Sequence, residues 1–315
     1  MPNTYSPLRY PGGKTKFYGY VRDILECNDL LGETYIEPFA GGAGLALKLL
    51  LNDDVKRIVI NDFDPAIYCF WYSVLHEPGA FCDLIMNVPL TQEEWKIQRQ
   101  IYLEQNTLEP LRLGFATFFL NRTNVSGVVN GGIIGGQDQN GPYKLDARFN
   151  RTTLSQKVAQ IADRKNQIVV LNYDAKQLLQ PHELRRFYKA FINLDPPYVK
   201  KGRQLYKNAF SEDDHRELSK LVSACKRKWI VTYDICPLVA DLYSEYRSSY
   251  LDVTYSVHSS QRAKEYIFFS DNLVLPEAIV NTAPSEPVAR RKRATHAGEV
   301  SHRKRTSEPL PNNAR

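Results

Sequence analysis

Tyr35-Ile36-Glu37-Pro38-Phe39, then Ala40-Gly41-Gly42-Ala43-Gly44, then Leu45-Ala46-Leu47-Lys48-Leu49-Leu50-Leu51 is the stretch that decides the fold. The first five residues read as a short apolar strand. The next five are a glycine-rich turn. The last seven are dense in strong helix formers and read as a helix. Asn52-Asp53-Asp54 stops that helix, and Lys56 to Ile60 is a second apolar strand that ends on Asn61-Asp62. A helix over 65–75 follows, with Pro65 suited to its first turn. Strand alternating with helix predicts a parallel α/β sheet of Rossmann-like type, with helices on both faces.

Outward from there the pattern breaks and then resumes. Past Glu77-Pro78-Gly79 the segments turn polar and helical, including 91–103, where Thr91 and Glu94 have capping-box spacing. A glycine- and asparagine-rich stretch runs over 121–142. Residues 89–150 therefore read as an insertion, mostly helix and loop, in a catalytic domain formed by 1–88 and 151–275. Within the second half, strands are expected at 167–171, 190–194 and 229–233, a helix at 213–226, and a last strand at 266–269. From 276 to 315 the apolar pattern is gone. Pro284, Pro287, Pro309 and Pro311 sit among basic clusters (Arg290-Arg291-Lys292-Arg293, Arg303-Lys304-Arg305), which reads as a disordered basic tail able to touch phosphates without reading sequence.

Composition narrows the class. With 315 residues and 43% hydrophobic content the chain can bury a sizeable core. The start, Met1-Pro2-Asn3-Thr4, has neither a basic nor an apolar leader segment, and no run reaches membrane-spanning length, so a cytoplasmic protein without a membrane partner is expected. Five scattered cysteines and six dispersed histidines give neither a disulfide framework nor a metal-ligand pattern, and no metal is expected. The net charge of +6 points to an anionic partner. Most of it lies in the tail, so a nucleic-acid site in the body needs local placement of charge.

Two segments carry chemistry. The glycine loop Gly41, Gly42, Gly44 lets a ligand approach the backbone, and the following helix start offers free N–H groups. Asp62, ending the next strand, can accept hydrogen bonds from both ribose hydroxyls. Glu37, just before the loop, either reaches an amino group on the cofactor or is a solvated strand end. The glycine spacing is not that of a dinucleotide fingerprint, which disfavours a nicotinamide-dependent dehydrogenase.

The second segment is Asp195-Pro196-Pro197-Tyr198, directly after an apolar strand. Two prolines remove two N–H donors and stiffen the chain. The Asp195 carboxylate and the Pro196 carbonyl can then hold both hydrogens of an exocyclic amino group, favour a pyramidal nitrogen and stabilise the positive charge that grows on it. Tyr198 can stack on the base. The bland alternative is a strand-ending Pro-Pro turn capped by Asp195.

Taken together these residues resemble the Dam-type, D12 class adenine-N6 DNA methyltransferases, in several segments and in the family's order over most of 8–270. Leu8-Arg9-Tyr10-Pro11-Gly12-Gly13-Lys14 resembles the N-terminal motif, which implies that Tyr10 and Lys14 contact the methionine end of S-adenosylmethionine. Glu37-Pro38-Phe39 with the glycine loop resembles the cofactor loop, and Asp62 the ribose-binding acid. Asn172-Tyr173-Asp174 falls where the family surrounds the cofactor's adenine, and Asp195 borders the same site. Phe118-Phe119-Leu120-Asn121-Arg122 resembles the lead into a target-recognition hairpin. GATC-methylating members carry an aromatic soon after the Asn-Arg pair and an arginine after the next glycine. This chain has Thr123-Asn124-Val125-Ser126 and Gly127-Val128-Val129-Asn130 instead.

The resemblance implies an enzyme that transfers a methyl group from S-adenosylmethionine, without a metal, to a flipped-out adenine of duplex DNA. Restriction-modification, phage and housekeeping roles all fit, and a cognate restriction endonuclease is a candidate partner. Such an enzyme works in the cytoplasm at the nucleoid. Base contacts are expected from Asn121, Arg122, Asn124, Asn130, Gln137, Gln139, Asn140 and Lys144, whose side chains have the donor and acceptor geometry that reads base edges. The competing reading is that these amides serve their own turns. Two wider alternatives stand: a same-fold methyltransferase for another nucleic-acid base, and a catalytically silent DNA-binding homologue.

Overall fold

Side chains alternate across the sheet and divide the protein into two cores. Tyr35, Ile58, Ile60, Phe191 and Ile230 face one way, and their neighbours Ile36, Val59, Ile192 and Val231 face the other. That both sets are buried means both faces are covered, as a parallel sheet requires. The computed structural model describes residues 5–9, 14–200, 210–255 and 261–277. Tyr10 and all of the tail beyond 277 lie outside the described residues, and with them the expectations placed there.

Seven strands form one sheet in the order β3-β2-β1-β4-β5-β7-β6. They are β1 (Thr34–Glu37), β2 (Arg57–Asn61), β3 (Ile168–Leu171), β4 (Ala190–Leu194), β5 (Lys228–Asp234), β6 (Arg247–Tyr255) and β7 (Gln261–Phe269). The first five run parallel, whereas β7 is antiparallel to both β5 and β6. The order reverses between β1 and β4, which opens a crevice at their carboxyl ends. Strand β6 is absent from the expectations above. Its sequence, Arg247-Ser248-Ser249-Tyr250-Leu251-Asp252-Val253-Thr254-Tyr255, is mostly polar, as an edge strand paired on one side tolerates.

One face carries α1 (Tyr18–Cys27), α2 (Gly44–Leu51), α3 (Pro65–His76), α4 (Pro78–Asn87), α5 (Gln92–Glu104), α6 (Pro110–Thr123) and α7 (Arg151–Ala162). The other carries α8 (Glu212–Ala224) and α9 (Pro237–Leu242). Caps fix the helix starts. Asp64 accepts from the Ala66 N–H at 2.9 Å ahead of Pro65, and Thr91 accepts from the Glu94 N–H at 3.2 Å. Ser211 and Asp214 form a reciprocal capping box at α8.

The expected insertion has no core of its own. Helix α6 is buried along nearly all its length and lies against α3, so close that a Cβ on Gly114 would stand 2.5 Å from the Cys69 carbonyl oxygen. Phe118 sits among Phe70, Phe81, Phe115 and Phe149, with ring centroids 5.4–6.1 Å apart. Residues 89–150 thus add to the core on that face of the sheet, and Ile133, Leu145 and Phe149 beyond α6 belong to it as well.

Candidate active site

Asn61, fully buried at the end of β2, ties three strand ends together. Its amide donates to the carbonyls of Pro38 (2.9 Å) and Tyr173 (3.0 Å) and accepts from the Tyr173 N–H at 2.9 Å. Asp62 next to it accepts from Gly41 N–H at 2.8 Å and from Asp64 N–H at 3.0 Å, one on each oxygen. The glycine loop is therefore fastened to the acid expected to hold a ribose. Each carboxylate oxygen keeps a second lone pair for a ligand hydroxyl. Burial pushes Asp62 up to about 6, against the pull of these two N–H groups. Ala43, in the left-handed conformation at φ 46°, starts α2 without a side-chain cap of its own, and the Glu37 carboxylate accepts from the Ala46 N–H in the first turn.

Glu37 is 7% exposed and is not a solvated strand end. It accepts from the Tyr35 hydroxyl at 3.1 Å, which in turn accepts from the Asn193 amide at 2.8 Å. Burial pushes its carboxyl up to about 8, with the Asp195 charge adding to the rise. The three residues expected around an adenine all have structural work, Tyr173 through Asn61 and Arg186. Asn172 donates to the Asp62 and Phe63 carbonyls, and Asp174 caps the turn at Ala175–Leu178. Phe63, 56% exposed beside Asp62, offers a flat apolar face there that the sequence reading missed.

Asp195 follows β4 at the crevice. Its Oδ1 accepts from Thr232 Oγ1 at 2.7 Å and from the Tyr198 hydroxyl at 2.9 Å, while Oδ2 pairs with Lys14 Nζ at 2.9 Å. Lys14 also donates to the Tyr198 hydroxyl at 2.8 Å and lies 3.3 Å from Glu265 Oε2. Burial alone would pull the Lys14 ammonium down, but Asp195 and Glu265 outweigh it and hold its pKa above the usual lysine value. The resemblance assigns Lys14 to the methionine end of the cofactor, and here its ammonium engages the Asp195 carboxylate. Asp234, at the end of β5, accepts from Val199 N–H (3.1 Å) and Lys200 N–H (2.8 Å) and so pins the chain just past Tyr198. Thr232, Asp234 and Glu265 were not singled out in the sequence. Each lies within a strand, where nothing local separates it from ordinary strand polarity.

A family model described as D12 class N6 adenine-specific DNA methyltransferase matches residues 10–258. The chain belongs to that class. It is similar to the Type II methyltransferase M.MjaIII of Methanocaldococcus jannaschii, at 23% identity over 68% of this chain and 77% of the relative. Among solved structures it is similar to a candidate RNA methyltransferase from Pyrococcus horikoshii, with a TM-score of 0.39, 9% identity, and 86% and 89% of the two chains covered. It is also similar to the rRNA methyltransferase aviRa from Streptomyces viridochromogenes, with a TM-score of 0.35, 12% identity, and 82% and 85% covered.

In this adenine-N6 DNA methyltransferase the segment expected to read bases divides in two. Asn121 and Asn124 face inward, which corrects their assignment to base edges. Asn121 accepts from Arg9 N–H at 2.7 Å and donates to the carbonyls of Arg9 (2.8 Å) and Gly127 (2.7 Å). Asn124 accepts from Trp95 Nε1 at 2.7 Å and donates to the Val128 and Val129 carbonyls. Gln139 likewise bonds Ile134, Gly136 and Leu145 of its own loop. Asn130, Gln137, Asn140 and Lys144 are exposed. Lys144 donates to the Gln139 carbonyl.

Beside them lies a cleft of about 370 Å³ lined by Arg9, Ser126, Tyr143 and Arg148, among others. Arg122 is half-buried near Arg9 and Arg148, and its Nε has no hydrogen-bond partner among the described residues. Burial, then the nearby Arg9 and Arg148, push Arg122 down to about 10. No ion pair joins Arg9, Arg122 or Arg148 to a carboxylate among the described residues. Among those residues there is also no group of three or more His, Cys, Asp or Glu arranged to hold a metal, and no helix long and apolar enough to cross a membrane.

Proposed function

We propose that this methyltransferase acts on an adenine swung out of duplex DNA, held at N6 by Asp195 and the Pro196 carbonyl against the Tyr198 ring. The observation that carries the reading is the placement of Asp195. It directly follows a buried strand, is 27% exposed, and is oriented by Thr232 and Tyr198. A carboxylate held this way needs no reorganisation to accept an amino hydrogen. In-line transfer to N6 cannot be arranged inside the base stack, so the base must leave it.

S-adenosylmethionine, when bound, supplies an electrophilic methyl group. The residues present fit it: the glycine loop is tied to Asp62 through the Gly41 N–H, and the exposed ring of Phe63 follows that acid in the chain. Asp62 holds the ribose, and its replacement by alanine should weaken cofactor binding by roughly 1–3 kcal/mol, the scale of lost hydrogen bonds to a charged group. Unchanged affinity by calorimetry would remove Asp62 from the site.

Arg9, Arg122 and Arg148 supply the local positive charge that the nearly neutral body needs for DNA. Three clustered arginines with no acid partner among the described residues are balanced when a phosphate arrives. The exposed Asn130, Gln137 and Asn140 remain candidates for base contacts. M.MjaIII carries the words Type II methyltransferase in its name, which supports a modification role with a cognate restriction endonuclease, and such work is done in the cytoplasm on the DNA.

The test has two parts. Nucleoside analysis of duplex DNA incubated with protein and S-adenosylmethionine should show N6-methyladenine. With 2-aminopurine at the target position, fluorescence should rise on binding. DNA without N6-methyladenine would end the assignment to adenine, and methylation without a fluorescence rise would end the flipped-base geometry.

A further inference from the structure

Lys14 sits where three oxygens converge, from Asp195 at 2.9 Å, Tyr198 at 2.8 Å and Glu265 at 3.3 Å. Asp195 and Tyr198 belong to the catalytic segment. Glu265 does not. It lies beyond the matched segment 10–258, on β7, and is 1% exposed. Its presence follows from the topology. Strand β7 runs opposite to β5, with Glu265 paired in register to Asp234, so the middle residue of β7 lies beside the last residue of β5, where the parallel strands end.

One ammonium shared by two carboxylates has a consequence for the reaction. Asp195 must accept a hydrogen from the adenine amino group and face the positive charge that grows there. A carboxylate that is the whole counter-ion of a buried lysine does this poorly, because the lysine already draws on its negative charge. A second carboxylate takes up part of that demand. We propose that Glu265 is a positioning residue, which carries part of the Lys14 charge so that Asp195 stays a strong acceptor for the amino group. The inference rests on the reading of Asp195 given above. Glu265 touches neither base nor cofactor in this scheme and acts through Lys14.

The experiment is a double-mutant cycle on the full chain, read by single-turnover methylation of duplex DNA and by calorimetric binding of S-adenosylmethionine. Glu265→Gln removes the charge at nearly constant volume. Methyl transfer should slow by roughly tenfold, a barrier rise of about 1.4 kcal/mol. Cofactor affinity should stay within about threefold of wild type, which separates lost transition-state stabilisation from lost binding. In a Lys14→Gln background the same change should cost nothing more, since the charge it balances is gone. Should Glu265→Gln alone fail to fold, the double variant carries no unbalanced lysine, and it should fold and methylate at the rate of Lys14→Gln.

A Glu265→Gln rate within about twofold of wild type would overturn the proposal, as would an equal loss with and without Lys14. So would a double variant slower than Lys14→Gln. These outcomes are judged against an active wild type. A wild type that does not methylate would fail the reading of Asp195 instead.

Discussion

An Asp195→Ala variant should bind S-adenosylmethionine about as well as wild type and yet transfer methyl groups roughly 100- to 1000-fold more slowly, the loss expected for one preorganised polar group. The N6 lone pair of adenine is delocalised into the ring, and Asp195 is the carboxylate that can receive its hydrogen at the crevice. The fold should survive for a reason visible in the site. Removing one partner of a buried ion pair is costly when it strands the other, but Lys14 keeps Glu265 and the Tyr198 hydroxyl. Thr232 stays close to the Leu194 carbonyl at 3.4 Å. Single-turnover incorporation of labelled methyl groups into DNA gives the rate, and calorimetry gives the cofactor affinity. A variant that methylates within about tenfold of wild type would sink the catalytic assignment.

Phe118→Ala should destabilise the whole protein by about 3–5 kcal/mol, the cost of deleting a large buried aromatic side chain. Phe118 is fully buried between α3, α4 and the segment leading into α7. If residues 89–150 were a separate unit, the loss would appear as early melting of that unit alone. Because α6 shares the core of the sheet domain, urea unfolding should instead keep a single transition at a lower midpoint with an unchanged slope. Two resolved transitions in the variant would show that the insertion folds apart.

How legible this was depended on whether the signal was local. Strands β1 to β5 and the helices beside them were readable because their apolar runs end at turn residues. Asp195-Pro196-Pro197-Tyr198 was readable because its chemistry is contiguous. Burial decided Glu37, whose two readings were open in the sequence; the structure puts it in a closed network with Tyr35 and Asn193. Asn121 and Asn124 misled because an amide that braces a turn and an amide that reads a base have the same composition. Only the partners 112 and 29 residues away separate the two. Thr232, Asp234 and Glu265 were hidden because the register of β5 against β4 and β7 brings them to the site.

The way Asn121, Asn124 and Gly127 hold Arg9 sets where this enzyme can be re-engineered. Gly127 has φ 77°, and a Cβ there would meet the Arg9 carbonyl oxygen at 2.3 Å, so no other residue fits without displacing that strand of chain. Asn124 joins the loop to Trp95 of α5. A recognition loop borrowed from a relative will therefore seat only if it brings this asparagine-glycine seam with it, or if the cut is made downstream of Val129. Chimaeras joined across the seam should fail as folds before their sequence preference can be read. Those joined between Asn130 and Tyr143 have exposed chain at both ends and leave the brace on Arg9 untouched.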